Sequence, residues 1–293
     1  MENSNVASEV SPIVKCETGS QLLARLSLRP SLKKLEPALF PDLSGQCVVE
    51  ISGGAGAGKS ELFYHLIAKC ILPPSWQGTE LGGLSAGVVF VDTDHHFNLL
   101  RLVTVLEKRV ASKLDSPSVE EVTVFIRKCL QMLTIVRCWN SEQLLLTLYG
   151  LDSVIGTNVS ISLLLLDSVS AFYWLDRMNL MDQMNELDKF HAQLVAALEK
   201  LVNNYKLVVM ATRQVLMKER ETDAVDDKNR DKLSFKRFDF MGRNWQKFVK
   251  CRLTLKKEQT EEVGQTKITI CKFDSVTQSI ECLITENGMM FLT

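Results

Sequence analysis

Residues 48–62 read Val48-Val49-Glu50-Ile51-Ser52-Gly53-Gly54-Ala55-Gly56-Ala57-Gly58-Lys59-Ser60-Glu61-Leu62. The apolar positions Val48, Val49 and Ile51 predict a short buried strand. A glycine-rich turn, Gly53 to Gly58, follows it. Leu62, Phe63, Leu66 and Ile67 then recur at helical spacing. This is G-x-x-x-x-G-K-[ST] set between a strand and a helix, the context the motif requires. A triphosphate must meet many backbone N–H donors at one point, and residues with little or no side chain allow the approach. Successive amides and a helix N-terminus supply positive potential there. The reading assigns nucleotide binding to Gly53, Gly54, Ala55, Gly56, Ala57, Gly58, Lys59 and Ser60. Lys59 would reach the β- and γ-phosphates, and the Ser60 hydroxyl would hold Mg²⁺. The bland alternative is a glycine-rich turn that binds nothing.

The rest of the 293-residue chain, 46% hydrophobic, suits one large domain or one domain with extensions. A formal net charge of -1 provides no global basic field toward nucleic acid. Cys16, Cys47, Cys70, Cys129, Cys138, Cys251, Cys271 and Cys282 have no zinc-ligand spacing and read as small core residues of a reducing compartment. The first residues lack the basic-then-apolar order of a signal peptide. No apolar run, Leu163–Leu166 included, approaches membrane-spanning length, so the reading expects a soluble intracellular protein.

Residues 1–17 read as a disordered segment and 18–293 as one core domain. Ser20 reads as the N-cap of a short helix burying Leu22, Leu23 and Leu26. Pro30, Pro37 and Pro41 punctuate the approach to the loop, and Pro73-Pro74 ends the helix after it. Residues 78–87 read as a loop. Strands are expected at Val88–Val91, Thr134–Val136, Ile161–Leu166 and Leu207–Met210. Helices are expected at Leu99–Val110, Glu142–Leu151 and Glu186–Val202. The alternation argues for a mostly parallel sheet covered on both faces, an α/β fold. Residues 217–237 are charge-dense with mixed sign and read as a mobile loop. Short strands at Leu253–Leu255, Ile268–Phe273, Ser279–Ile284 and Met289–Leu292, with turns at Gly264 and Asn287-Gly288, predict an antiparallel extension.

The phosphate loop calls for a carboxylate at the end of a neighbouring buried strand, to hold magnesium directly or through its water shell. Leu163 to Asp167, L-L-L-L-D, supplies Asp167, though Asp also ends ordinary strands. In order along the chain stand T-G-S, the phosphate loop, V-D-T-D-H-H-F, L-L-L-L-D-S-V-S-A-F-Y and A-T-R-Q-V. This series resembles the RecA-like recombinases of the eukaryotic Rad group, and within them the paralogs of the X-ray-repair cross-complementing set. The closer likeness rests on Q-L-L-A-R-L, L-F-Y-H-L-I-A-K-C-I-L-P, V-D-T-D-H-H-F-N-L-L-R-L-V-T-V-L-E, L-L-L-T-L-Y, D-S-V-S-A-F-Y-W-L-D-R and L-E-K-L-V-N-N-Y. It spans roughly Thr18 to Phe248.

The resemblance implies a RecA-like P-loop ATPase core with ATP and Mg as cofactors. Two catalytic candidates follow from it. Asp94 stands where the family usually has a Glu that orients the attacking water. Its shorter side chain implies weak hydrolysis, or none, by the chain alone. The residue can also be read as a helix N-cap. Gln214 matches the family's γ-phosphate sensor. Arg213 departs from the usual Asn, and would either add charge near the phosphates or cap a strand on the surface. The DNA loops depart further. Tyr173 to Gln183 carries Arg177 as its one cation, and the second loop falls in the mixed-charge Lys218–Arg237. Phe235, Lys236, Arg237 and Phe238 are the nearest candidate for strand stacking, against a plain solvated loop tip. His95 and His96 have no metal-ligand spacing and read as surface or helix-start residues. Tyr173 and Trp174 read as core or interface.

The resemblance therefore implies a subunit, not a lone recombinase. It would join other recombinase paralogs in a nuclear DNA-repair complex and assist homologous recombination and recombinase filament assembly. It would meet single-stranded or branched DNA through that complex and have no membrane partner. No F-x-x-A motif precedes Thr18, so the chain is expected to lack its own donor for a homofilament. The alternatives are an autonomous DNA-stimulated ATPase with strand-exchange activity and a small-molecule P-loop kinase, for which neither lid nor transfer base can be assigned.

Overall fold

β1 (Val48–Gly53) lies inside a sheet, parallel to a strand on either side. The computed structural model describes residues 18–43, 45–114, 118–179, 184–214, 241–258, 266–273 and 277–292, with the side chains of 22, 25, 26, 184, 185, 273, 277 and 278 left aside. The segments read as disordered (1–17) and as a mobile loop (217–237), the aromatic and basic residues 235–238, and the turn at 264 lie outside the described residues.

The described chain runs α1 (Gly19–Ser27), β1, α2 (Lys59–Ile71), β2 (Ser75–Trp76), β3 (Thr79–Glu80), β4 (Gly87–Asp92), α3 (Leu99–Ala111) and α4 (Val119–Leu130). It continues with β5 (Leu133–Arg137), α5 (Ser141–Thr157), β6 (Ile161–Asp167), α6 (Tyr173–Asn179), α7 (Met184–Tyr205) and β7 (Val208–Gln214). It ends with α8 (Gly242–Phe248), β8 (Cys251–Lys257), β9 (Thr266–Phe273), β10 (Thr277–Thr285) and β11 (Gly288–Phe291). The main sheet has the order β11-β10-β9-β8-β1-β7-β6-β4-β5. β8, β1, β7, β6, β4 and β5 pair in parallel, and β8 to β11 form an antiparallel meander. This is the RecA-like α/β architecture expected, with its antiparallel extension.

β1, β4 and β6 are buried along their whole length, as strands covered on both faces must be. One core joins Val49, Ile51, Phe63, Leu66, Val88, Leu163 and Ile268 beneath α2, α3 and α4. The other joins Val48, Val89, Leu164, Leu198, Val209 and Trp245 beneath α5, α7 and α8. The period-2 alternation of each strand divides its apolar residues between the two.

Some local expectations are corrected. The first helix is present, but Ser20 lies inside it. Thr18 caps it, its Oγ1 accepting from the Gln21 amide at 3.3 Å while the Gln21 side chain accepts from the Thr18 amide at 2.8 Å. Leu23 is 64% exposed, not buried. Residues 78–87 contain β3, which pairs with β2 in a small hairpin. α4 was not anticipated. Its Val122, Phe125, Ile126 and Cys129 are buried at helical spacing, and Phe125 stacks on Trp76 of the hairpin with ring centroids 4.1 Å apart. The stretch after the Asp-Ser strand is helical over α6.

Candidate nucleotide site

The loop from Gly53 to Gly58 joins the C-terminal end of β1 to the first turn of α2. Gly58 precedes α2 in the left-handed region, at φ 89°, and no side chain caps the helix. The first amides of α2 are therefore left for an external acceptor. A Cβ on Gly53 would stand 2.8 Å from the Leu255 carbonyl oxygen, and one on Gly58 would stand 2.2 Å from Ile268 Cδ1. The extension strands thus press on the loop from outside. Gly54, Ala55 and Gly56 are exposed. Lys59 Nζ donates to the carbonyls of Gly53 and Gly54 at 2.9 and 3.0 Å, which holds its charge over the loop. Burial pulls its ammonium below the ordinary value, while Asp167 and Asp94 act the other way.

Asp167 ends β6 and is buried. One carboxylate oxygen accepts from Thr212 Oγ1, and the other faces Ser60 Oγ at 3.4 Å. Burial raises its carboxyl above the usual range, Asp94 and Asp92 add to the rise, and Thr212 and Lys59 oppose it. Such a carboxylate gains from a bound cation, and the Ser60–Asp167 oxygen pair suits Mg²⁺.

Parallel pairing aligns β4, β6 and β7, so their C-terminal ends meet beside the loop. The Asp94 amide donates to the Asp167 carbonyl at 3.2 Å. Gln214 Nε2 donates to Asp94 Oδ2 at 2.9 Å, and the Gln214 amide donates to Ser170 Oγ at 3.1 Å. The two catalytic candidates therefore touch each other. Asp94 is not a helix cap: Asn98 caps α3 by accepting from the Arg101 amide, and the Tyr64 hydroxyl fixes the Asn98 amide.

Both readings of Arg213 fail. It is buried on the opposite face of the sheet from Thr212, with its Nε 3.2 Å from Glu50 Oε1. Trp245 Nε1 donates to Glu50 Oε2 at 2.7 Å, and Arg252 Nε lies 3.8 Å from Glu50 Oε1. Thr212, Ser170 and Glu50 were missed by the sequence reading. The signal for Glu50 was a charge inside an apolar strand, which demands a buried partner.

His95 sits at φ 55° with its ring stacked on Trp139 at 3.8 Å, and His96 is exposed. Tyr173 is buried, whereas Trp174 is 41% exposed beneath the Arg177 guanidinium. Cys70, Cys129 and Cys282 are buried thiols, and burial pushes Cys129 up to about 11 and Cys282 up to about 12. No helix among the described residues is long and apolar enough to cross a membrane.

The model of the family described as Rad51 matches residues 23–269 of the chain. The chain belongs to the Rad51 family. Its similarity to mouse "DNA repair protein XRCC2" is 35% identity over 94% of this chain and 98% of the mouse protein. An Arabidopsis thaliana "DNA repair protein XRCC2 homolog" is 26% identical, covering 86% of this chain and 81% of that one. The "DNA repair and recombination protein RadA" of Metallosphaera sedula is 26% identical over 72% of this chain and 56% of its own. The Rad51 match runs from within α1 to the middle of β9, so the loop, Asp94, Asp167 and Gln214 all lie within it.

Proposed function

We propose that this chain is an ATP-binding recombinase paralog that works as a subunit of a nuclear DNA-repair complex, assisting homologous recombination and recombinase filament assembly. The observation that carries the nucleotide reading is the convergence of Lys59, Ser60 and Asp167 with the Asp94–Gln214 pair at one end of the parallel strands. Lys59, with the amides from Gly54 to Ser60, would hold the phosphates. Ser60 and Asp167 would hold Mg²⁺, which shields phosphate charge when bound. Asp94 would orient water and Gln214 would sense the γ-phosphate. With its carboxylate one methylene short of the family's Glu, the chain alone hydrolyses ATP slowly or not at all.

The subunit reading is supported by the similarity to mouse and Arabidopsis proteins printed as DNA repair proteins. It is also supported by an exposed sheet edge. β5 pairs with β4 alone among the described residues, and Ile135, Trp139 and Leu146 near it are exposed. An extended segment of another paralog would add to that edge as a strand. DNA would be met through the assembled complex.

Fluorescent-ATP titration of wild type and Lys59→Ala tests the nucleotide reading. Affinity should fall at least tenfold in the variant, and equal affinities overturn the reading. Co-purification from cells, with identification of chains at fixed stoichiometry, tests the subunit reading. Long filaments of the pure protein on single-stranded DNA with ATP would favour the autonomous recombinase instead.

A further inference from the structure

Away from the nucleotide loop, the C-terminal half of α2, the last turn of α3 and the turn after the β2–β3 hairpin enclose a second cavity of about 230 Å³. It is lined by Lys69, Leu72, Leu81, Gly82, Gly83, Arg109 and Lys113. Three of these seven residues are cations and none is acidic. A cavity of that size has room for several waters, or for one tetrahedral anion with part of its hydration.

The charges around it do not balance. Among the described residues Glu36 is the one carboxylate in contact with this group, and it is already shared. Its Oε2 accepts from Lys69 Nζ at 2.8 Å and from His65 Nε2 at 2.7 Å. Arg109 spends Nη2 on His65 Nδ1 at 3.0 Å. His65 Nδ1 also lies 3.1 Å from the Met289 carbonyl oxygen, so it sits between a donor and an acceptor. Burial lowers the His65 pKa, which disfavours a charge on the ring. Arg109 Nη1 is buried with no hydrogen-bond partner. Among the described residues neither Arg109 nor Lys113 has an ion pair. A guanidinium nitrogen taken out of water without an acceptor is costly, and Arg109 is one of the residues that line the cavity.

The backbone shapes the cavity but does not supply its donors. A Cβ on Gly83 would come within 2.0 Å of the Leu72 carbonyl oxygen, so only glycine lets this turn lie against the end of α2. The Gly82 and Gly83 amides are already committed to Pro74 and Pro73. Recognition therefore falls to the three side-chain cations.

We propose that Lys69, Arg109 and Lys113 form a second anion site that takes a phosphate group, either free phosphate or a phosphate monoester. The site is distinct from the phosphate loop: Lys69 lies at the far end of the helix that Lys59 begins. Arg109 and Lys113 would meet the anion from the cavity lining, and Lys69 would be shared between the anion and Glu36.

The test is a thermal-shift titration with inorganic phosphate, against chloride at matched ionic strength, on wild type, Lys113→Gln, Lys113→Arg and Lys59→Ala. Lys113 is exposed, so its substitutions leave the core intact. Saturable stabilisation is expected in wild type and in Lys59→Ala. Lys113→Gln should weaken the apparent affinity about tenfold, the loss of one charge-assisted hydrogen bond, and Lys113→Arg should restore it. A parallel titration with glycerol 3-phosphate separates the two sources: equal binding assigns a monoester, and binding of phosphate alone assigns the free ion. Absence of saturable stabilisation overturns the proposal. So does a Lys113→Gln curve identical to wild type, or complete loss in Lys59→Ala, which would place all phosphate binding at the nucleotide loop.

Discussion

Gly58→Ala measures how tightly the C-terminal meander holds the phosphate loop. At φ 89° an L side chain costs about 1–2 kcal/mol. The added methyl would also meet Ile268 Cδ1 at 2.2 Å and Ile284 Cδ1 at 2.8 Å. Both are the ends of flexible side chains, so they can move, and overpacking of this kind costs about 1–3 kcal/mol. Lower entropy of the unfolded chain returns about 0.4–1 kcal/mol. The expected net loss is about 3 kcal/mol, a large part of a typical domain's stability. Urea unfolding of wild type, Gly58→Ala, Ile268→Val and the double variant separates the two causes. Ile268→Val removes the methyl nearest the clash and alone costs about 1 kcal/mol. If the contact matters, the double variant should lose about 1–2 kcal/mol less than the sum of the singles. Additivity to within about 0.5 kcal/mol would refute the steric argument and leave backbone strain alone.

Glu50→Ala should destabilise the protein by about 3–5 kcal/mol in the same assay, because it leaves Arg213 buried and unpaired; Glu50→Gln, which keeps an acceptor for Trp245, should lose less. Asp94→Glu should raise ATP turnover about tenfold or more in a phosphate-release assay, with a rate at or below wild type counting against the proposed role. Stability should fall as pH drops below about 6.5. Burial lowers the His65 pKa in the fold against the pull of Glu36, so the unfolded chain takes up the proton first. Glu36 adds to the loss at lower pH. Burial acts to raise its carboxyl, but the hydrogen bonds from His65 and Lys69 bring it below the ordinary value. His65→Gln, compared at pH 7 and pH 5.5 by urea unfolding, should show the smaller drop.

The parallel half of the fold was legible because its strands are unbroken apolar runs ending in Asp92, Asp167 or the Thr212–Gln214 stretch. The loop and its carboxylate were legible for a chemical reason: phosphates and magnesium restrict residue types and spacing. α4 was missed although seven of its twelve residues are apolar and its buried ones, Val122, Phe125, Ile126 and Cys129, repeat at helical spacing. α6 was hidden by the expectation of a loop. Arg213 was misplaced for want of strand parity. In an extended strand it shares the face of Ala211, not of Thr212, and so turns from the phosphates toward Glu50. The Asp94–Gln214 contact joins residues far apart in sequence, and no local pattern encodes it.

The position of β1 inside the sheet sets the order in which the molecule can be assembled. Its hydrogen-bonding neighbours are β7 and β8, at residues 208–214 and 251–257. During synthesis, the strand that carries the phosphate loop therefore leaves the ribosome without either edge covered. It must wait for most of the chain before its first ladder can close. Contacts of such long sequence separation are slow to form, and an apolar strand with two open edges is prone to pair with the wrong neighbour meanwhile. A nascent chain halted before residue 208 should therefore be held by chaperones and digest readily with protease, whatever nucleotide is present.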